Sequence, residues 1–306
     1  MNSAMAMYAR WTESREAIDL ALLGAQSMLP NATDSCNDVV ELFQNATPRW
    51  IKLPILSRVN RLTHIPKTGG TTVENFLGWT FSGHANYTEN QGRMPRRGAP
   101  FLTVLRHPLE RSLSAYFFIK AGRHMKDNIV KMRQTLFCRA GTGRYQNVTQ
   151  PCVPKLPPYE WMRCHADPNR AAVPLCASAF DRSSDGPQYQ FEYLKPTPNA
   201  TLPSVVRLLS ERFFLVGATE QLPTLLPLAA RALGRTPQGN SFGNESSNLS
   251  AKVTPHPSVA ELFTEAQYRQ LAEQRRVDLT LYAWARARLE RLAICLDVSV
   301  VYSDHK

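Results

Sequence analysis

The sequence lacks a hydrophobic run long enough to cross a membrane. Its longest apolar stretch, residues 17–29, contains Asp19 and is well short of the roughly 20 residues that a spanning helix needs. The pattern of a secretory signal peptide, a basic segment followed by an apolar one and a small-residue cleavage site, is not recognisable either. We therefore expect any membrane anchor to lie outside this sequence.

Closely spaced cysteine pairs of the kind that bind zinc are also absent. The six cysteines form no C-x-x-C motif, and four of them lie in or beside a proline-rich segment, residues 139–203. Cysteines in a loop-rich segment favour disulfides in an oxidising compartment, so we predict disulfide bonds of undetermined connectivity and no metal site. N-glycosylation sequons, which also favour a secretory glycoprotein, start at Asn31, Asn45, Asn86, Asn147, Asn199, Asn244 and Asn248.

A Walker A motif, G-x-x-x-x-G-K-S/T, is missing as well. The nearest candidate is residues 62–72, LTHIPKTGGTT, in which Lys67 precedes Gly69 and Gly70 instead of following them. We also find no aspartate at a strand end that could serve as a Walker B residue. This order disfavours an ordinary magnesium-dependent kinase or NTPase.

What residues 62–72 do contain is the composition of a phosphate or sulfate cradle. Gly69 and Gly70 let the backbone approach an anion closely. The helix expected after them presents N–H groups at its positive end, and Lys67 adds a charge. The alternative is a strand-to-helix turn that binds no ligand. His64, in the strand before the loop, is expected to be structural.

A second motif begins at residues 101–105, FLTVL, a continuous apolar run typical of a buried parallel strand. Arg106 follows it, and Pro108 suits the first turn of a helix. Ser114 then lies about two helical turns after Arg106, so the guanidinium and the hydroxyl can converge on one phosphate. The alternative for Arg106 is a surface salt bridge.

These motifs resemble those of the Golgi carbohydrate sulfotransferases, which use 3′-phosphoadenosine 5′-phosphosulfate (PAPS). Residues 64–72 are similar to the family's 5′-phosphosulfate loop, and residues 106–116 to its 3′-phosphate-binding segment. Residues 82–87, SGHANY, resemble the glycine-histidine segment of the uronyl and heparan sulfate 2-O-sulfotransferases, in which a histidine is the base. Ser82 stands where that family carries an additional histidine, so the acceptor stays open.

The resemblance implies a PAPS-dependent sulfotransferase that transfers a sulfuryl group to a carbohydrate hydroxyl, with an anionic glycan as the expected acceptor. It also implies the Golgi lumen or membrane as the location. The implied catalytic residues are His84, the general base whose pKa suits proton transfer, and Lys67. No metal is implied. The residues expected to bind PAPS are Lys67, Thr68, Gly69, Gly70, Thr71, Thr72, Arg106 and Ser114.

The expected fold is α/β, with a P-loop-NTPase-like, mainly parallel sheet flanked by helices. Residues 1–52 are predicted to be an N-terminal extension with a helix at residues 13–29. Residues 53–306 are predicted to form the sulfotransferase domain, with residues 139–203 as an insertion rich in cysteine and proline. Residues 213–220 are expected to form a further buried strand that leads into the start of a helix, with Thr219 as the N-cap. Helical periodicity over residues 264–292 predicts two helices with a break near Asp278.

The charge is strongly basic, with 36 Lys and Arg against 25 Asp and Glu and a formal net charge of +11. Such an excess attracts PAPS and anionic glycans. Nucleic acid is not a predicted partner, because the basic residues are spread along the chain and no recognised nucleic-acid motif accompanies them. The remaining alternatives are a P-loop kinase or NTPase and a non-catalytic glycan-binding protein, which would be expected to lose Lys67 or His84. The oligomeric state is left open.

Overall fold

The computed structural model describes residues 15, 17–19, 36–45, 62–77, 101–120, 156–166, 188–233 and 257–302. The chain divides into two compact units. The first, here called the helical unit, comprises Met1–Gly24, Pro108–Tyr189 and Thr254–Leu279. The second, the sheet unit, comprises Ala25–His107, Gln190–Val253 and Thr280–Lys306.

The secondary structure is mixed α/β with a parallel sheet, which confirms the predicted fold class at that level. The strands of the described residues are β1 (Leu62–Thr63), β2 (Phe101–Leu105) and β3 (Phe213–Ala218). Their helices are α1 (Cys36–Gln44), α2 (Gly70–Phe76), α3 (Pro108–Lys120), α4 (Pro158–Ala166), α5 (Tyr189–Leu194), α6 (Leu202–Arg212), α7 (Leu222–Ala232), α8 (Val259–Leu262), α9 (Glu265–Gln274) and α10 (Arg276–Cys295). Thr219–Gln221 form a 3₁₀ helix between β3 and α7.

The three strands form one parallel sheet in the order β1-β2-β3. All five residues of the central strand β2 are buried, as expected for an apolar strand with neighbours on both sides. Leu102 pairs with Leu62 of β1, and Leu105 pairs with Ala218 at the end of β3. Because the strands are parallel, the residues that follow each of them emerge at the same edge of the sheet.

A hydrophobic core packs the helices of the sheet unit against this sheet. Leu102 and Leu215 of the sheet are buried with Leu225 of α7 and Leu289 of α10. A Cβ at Gly217 would lie 2.7 Å from Leu289 Cδ2 and 2.8 Å from Leu225 Cδ1. Glycine at this position therefore lets both helices approach β3 more closely than any side chain would allow.

A disulfide joins Cys36, the first residue of α1, to Cys295, the last residue of α10, with a Cα–Cα distance of 5.4 Å. Phe43, near the end of α1, is 3 % exposed and belongs to the core of the sheet unit. Part of the predicted N-terminal extension is thus packed into this core. Cys164 is also disulfide-bonded, to a partner outside the described residues. The prediction of disulfide bonding is therefore confirmed, although the Cys36–Cys295 bond lies outside the segment in which the sequence led us to expect such bonds.

The helical unit has a core of its own, to which α3, α4, α8 and α9 contribute. Tyr116 of α3 and Trp161 of α4 pack edge to face, with ring centroids 5.5 Å apart. Arg275 is 1 % exposed, and its Nη2 donates to the carbonyl oxygen of Met162 at 2.9 Å. Burial lowers the pKa of Arg275 to about 10, although nearby Asp278 opposes this shift.

Two details of the predicted elements are wrong. The break between α9 and α10 falls at Arg275 and not at Asp278, because the backbone of Arg275, with φ −112° and ψ 22°, leaves the helical conformation. Thr219 is not an N-cap, since Gln221 precedes α7 and Ala218 precedes the 3₁₀ helix. The hydroxyl of Thr219 instead bonds to carbonyl oxygens of other segments.

The predicted segments at the N-terminus and in the middle of the chain are covered only in part. Of the helix expected at residues 13–29, residues 15 and 17–19 are described and are helical. Helices α4 and α5 lie within the predicted insertion. The limits predicted for the extension, the domain and the insertion stay predictions. Within the described ranges, no helix combines the length and the apolar character needed to cross a membrane.

We expect Cys36→Ser to lower the free energy of unfolding by about 2–5 kcal/mol, because the bond closes a very long loop whose ends are otherwise free in the unfolded chain. Cys295→Ser should cost the same amount. The double variant should cost no more than either single one, because both remove one bond. Urea unfolding followed by tryptophan fluorescence measures all three. Substitution is preferable to a reductant, which would also open the Cys164 disulfide, and additive losses would show that the thiols act separately.

Candidate functional site

The loop between β1 and α2 turns sharply at two positions with left-handed backbone conformation. Lys67 has φ 69° and Gly69 has φ 87°. Glycine adopts this region without steric cost, whereas lysine is strained in it. Thr68, between them, is buried, and its hydroxyl donates to the carbonyl oxygen of Ile65 at 2.9 Å. Alternating backbone conformations of this kind can gather N–H groups into a concave anion-binding surface.

Gly70, the first residue of α2, lies directly on the ring of His64. A Cβ at this position would be 2.2 Å from His64 Cδ2 and 2.6 Å from Nε2. His64 Nδ1 lies 3.2 Å from Glu74 Oε1, and both side chains are almost fully buried. The second glycine of the pair is therefore needed for packing. The burial of His64 agrees with the structural role expected for it.

Arg106 follows β2 at the same sheet edge, and its main chain is held by the side chain of Gln190. The Arg106 N–H donates to Gln190 Oε1 at 2.9 Å, and Gln190 Nε2 donates to the Arg106 carbonyl oxygen at 2.8 Å. The Arg106 guanidinium donates from Nη1 to the carbonyl oxygen of Lys67 at 3.4 Å. The arginine of the second motif and the loop of the first are thus in contact.

Thr219, which follows β3, connects the same two segments. Its hydroxyl lies 2.9 Å from the carbonyl oxygen of Thr68 and 3.0 Å from that of Leu105, so its one hydrogen is shared between these two acceptors. Thr68 belongs to the loop after β1, and Leu105 is the last residue of β2. One half-buried hydroxyl, directly after β3, therefore contacts both the loop after β1 and the last residue of β2.

A charged cluster lies beside Thr219. The Tyr282 hydroxyl donates to Glu220, and Arg286 Nε lies 3.5 Å from Glu220 Oε1. Burial disfavours the charged form of Arg286, but the oxygens of Tyr282, Tyr302 and Glu220 raise its pKa above the ordinary value. The carboxylate of Glu220 thus has a permanent cationic partner. His107 packs edge to face on Tyr282, with ring centroids 5.4 Å apart.

Comparison of the chain with protein-family models, curated proteins and solved structures found no match. The family expected from the motifs therefore stays a prediction, and a function can be proposed only from the geometry of the site. That geometry consists of two cationic side chains, Lys67 and Arg106, beside a tightly turned loop at the carboxyl edge of a parallel sheet. Such an edge is where open α/β sheets bind their ligands, and this chemistry suits an anion.

The remaining predicted site residues are placed as follows. Thr71 is exposed and Thr72 is half-buried in the first turn of α2. Ser114 is 5 % exposed on α3 and belongs to the helical unit, whereas Arg106 belongs to the sheet unit. Their convergence on one phosphate stays a prediction. His84 lies outside the described residues. Among the residues that the structure describes, no group of three or more His, Cys, Asp or Glu side chains could hold a metal ion.

Sequence reasoning missed the structural importance of Gln190 and misread that of Thr219. Gln190 lies far from Arg106 in the sequence, within the predicted insertion, and no local motif marks it. The local sequence marks Thr219 only as a possible helix cap. A hydroxyl or an amide directly after a strand, or in a short helix, carries no signal of a distant main-chain partner. Both contacts depend on tertiary structure.

We expect Gly70→Ala to destabilise the protein by about 1–3 kcal/mol, because the new methyl group has to displace the His64 ring. In a His64→Ala background, where that ring is absent, the same substitution should cost less than about 1 kcal/mol. Thermal unfolding of the four proteins of this double-mutant cycle measures the coupling. An equal cost of Gly70→Ala in both backgrounds would contradict the contact.

Proposed function

We propose that the chain is a PAPS-dependent sulfotransferase that acts on a hydroxyl group of a carbohydrate. The observation that supports this most is the contact between the Arg106 guanidinium and the Lys67 carbonyl oxygen. Two sequence segments that each predict a phosphate contact are thereby adjacent at one edge of the sheet. A nucleotide with phosphates at both its 5′ and 3′ positions needs two such anion-binding elements.

The proposal includes the finer fold assignment, a P-loop-NTPase-like sheet. In support of it, a short strand is followed by a glycine-bearing loop and a helix, and the next strand pairs with the first in parallel. Lys67 precedes both glycines, an order that favours a phosphosulfate loop over a Walker A loop.

In the proposed reaction, the acceptor oxygen attacks the sulfur of PAPS while the bond from sulfur to the phosphate oxygen breaks. His84 accepts the hydroxyl proton, which leaves a sulfated sugar and adenosine 3′,5′-bisphosphate as products. Lys67 neutralises the charge that develops on the departing oxygen. The loop from Thr68 to Thr72 holds the 5′-phosphate and the sulfuryl group. Arg106, together with Ser114, holds the 3′-phosphate.

A secretory, Golgi-type location is part of the same proposal. The Cys36–Cys295 disulfide supports an oxidising compartment. Asn45 and Asn199, the two sequon asparagines among the described residues, are both exposed, as glycosylation requires. The basic net charge suits a polyanionic glycan acceptor.

We expect Arg106→Ala to weaken binding of adenosine 3′,5′-bisphosphate by about 10- to 100-fold, because a charge-assisted hydrogen bond is worth roughly 1.5–3 kcal/mol. Isothermal titration calorimetry measures this effect, with magnesium ATP as the competing ligand. Arg288→Ala is a matched control, since Arg288 also donates to a main-chain carbonyl at 3.4 Å and its loss changes the net charge equally.

The same titration separates the competing functions. Binding of magnesium ATP without bisphosphate binding would replace the proposal with a P-loop kinase or NTPase. Binding of a sulfated or uronic glycan, with no nucleotide binding, would favour a non-catalytic glycan-binding protein. Equal bisphosphate affinity in Arg106→Ala and the parent would remove Arg106 from the site.

We expect Lys67→Met to lower the rate of sulfuryl transfer by at least about 100-fold, because it removes a charge that acts on the leaving oxygen. Bisphosphate affinity should fall much less, since the benefit is realised mainly in the transition state. Single-turnover transfer of labelled sulfate from PAPS to a heparan-type glycan measures the rate. Methionine retains the bulk and the left-handed strain of Lys67, so folding should be unchanged.

The control for that experiment is Lys195→Met. Lys195 pairs with Glu192 at 2.5 Å on α5 and the turn after it, and its loss changes the net charge by the same amount. If both lysine variants slow transfer equally, the effect is one of overall charge, and Lys67 has no special place in the reaction.

A further inference from the structure

We propose that two polar side chains outside both motifs each orient a different part of the nucleotide site. These are the side chains of Gln190 and Thr219. Gln190 positions Arg106, which holds the 3′-phosphate, and Thr219 positions the loop after β1, which holds the 5′-phosphate. This inference rests on the proposed function and names the residues that make the site discriminate between nucleotides. Neither residue touches the ligand itself in this scheme, so both are positioning residues.

The argument for Gln190 begins with the two main-chain groups it binds. It accepts from the Arg106 N–H and donates to the Arg106 carbonyl oxygen, at 2.9 and 2.8 Å. These groups belong to the two peptide planes on either side of the Arg106 Cα, and each plane is rigid. Fixing both planes fixes the direction of the Cα–Cβ bond. The position and direction of the first bond of the Arg106 side chain are therefore fixed.

Burial makes these two hydrogen bonds between Gln190 and the Arg106 main chain hard to replace. Gln190 is 0 % exposed, so water cannot take over the two hydrogen bonds when the amide is removed. A buried main-chain group left without a partner costs free energy, and the segment shifts to find another. A shift of the Arg106 backbone moves the end of its long side chain further still.

The argument for Thr219 concerns the direction of an amide. In a trans peptide, the carbonyl of one residue and the N–H of the next point in opposite directions. The Thr219 hydroxyl holds the Thr68 carbonyl at 2.9 Å, so the Gly69 N–H is directed to the opposite side of the loop. Glycine at this position has a left-handed backbone, φ 87°, and its own carbonyl oxygen accepts from the N–H groups of Thr72 and Val73 in the first turn of α2.

The two positions should therefore affect different phosphates. Loss of Gln190 releases Arg106 but leaves the loop held by Thr219. Loss of the Thr219 hydroxyl releases the loop and removes one contact from the peptide between Leu105 and Arg106, but both hydrogen bonds from Gln190 to the Arg106 main chain remain. A position that merely supported the fold would weaken both phosphate contacts to the same degree.

The test measures binding of three probes by calorimetry: adenosine 3′,5′-bisphosphate, adenosine 5′-monophosphate and adenosine 3′-monophosphate. The 3′ factor is the affinity gained when a 3′-phosphate is added to the 5′-monophosphate. The 5′ factor is the affinity gained when a 5′-phosphate is added to the 3′-monophosphate. Gln190→Met should lower the 3′ factor by about tenfold and keep the 5′ factor within about twofold. Thr219→Val should do the reverse.

Two conservative variants and one matched control accompany these. Thr219→Ser retains the hydroxyl and should keep both factors. Gln190→Glu keeps the acceptor for the Arg106 N–H but loses the donor, so it should lower the 3′ factor partly, and it takes the place of Gln190→Met if that variant does not fold. Gln221→Met removes another fully buried glutamine, one that bonds Ala218 N–H and the Arg286 carbonyl oxygen, and should keep both factors.

The outcomes separate this inference from the proposed function. If the parent chain shows neither factor, the proposed function fails before any variant is considered. If the parent shows both factors and each variant lowers them equally, or lowers neither, Gln190 and Thr219 do not divide the site and this inference is overturned. The inference is supported if Gln190→Met lowers only the 3′ factor and Thr219→Val lowers only the 5′ factor, while Gln221→Met and Thr219→Ser behave like the parent.

Discussion

Parallel pairing on both sides of β2 decides where the polar residues of the candidate site lie. Each strand contributes almost nothing but apolar side chains to the interior, and the chemistry begins only where the strand ends. Because all three strands run in one direction, Lys67, Arg106 and Thr219 emerge together. An antiparallel neighbour would have sent one of these segments to the opposite edge.

Close packing then limits what the edge can be made of. Glycine is favoured at position 70 because the His64 ring occupies the space of a Cβ, and at position 217 because two leucine side chains do. The glycine pair of the loop therefore has two different causes. Gly69 provides a left-handed turn, whereas Gly70 allows α2 to begin directly above a buried imidazole. A sequence motif that requires two glycines can thus reflect backbone conformation at one position and packing at the next.

The sequence allowed the parallel α/β architecture and most element types to be predicted, since β2, β3 and α3 have strong local signals. The apolar run FLTVL is a strand from its first residue to its last, and Pro108 begins a helix as expected. Element ends were less predictable. The break lies at Arg275, whose guanidinium bonds a carbonyl oxygen of another helix, and periodicity cannot reveal such a contact. The same holds for Gln190, whose partner in space lies far away in sequence.

If the proposed function holds, the phosphate bound by Arg106 has to share or replace the contact between Arg106 and the Lys67 carbonyl. At 3.4 Å it is a long hydrogen bond, and a guanidinium bonds more strongly to a phosphate than to a neutral carbonyl. A phosphate would therefore compete well with the carbonyl for the guanidinium. The main-chain bonds to Gln190 are shorter and buried, so they remain while the guanidinium changes partner. A site built in this way is held rigidly at the backbone and is adaptable only at the charged tip.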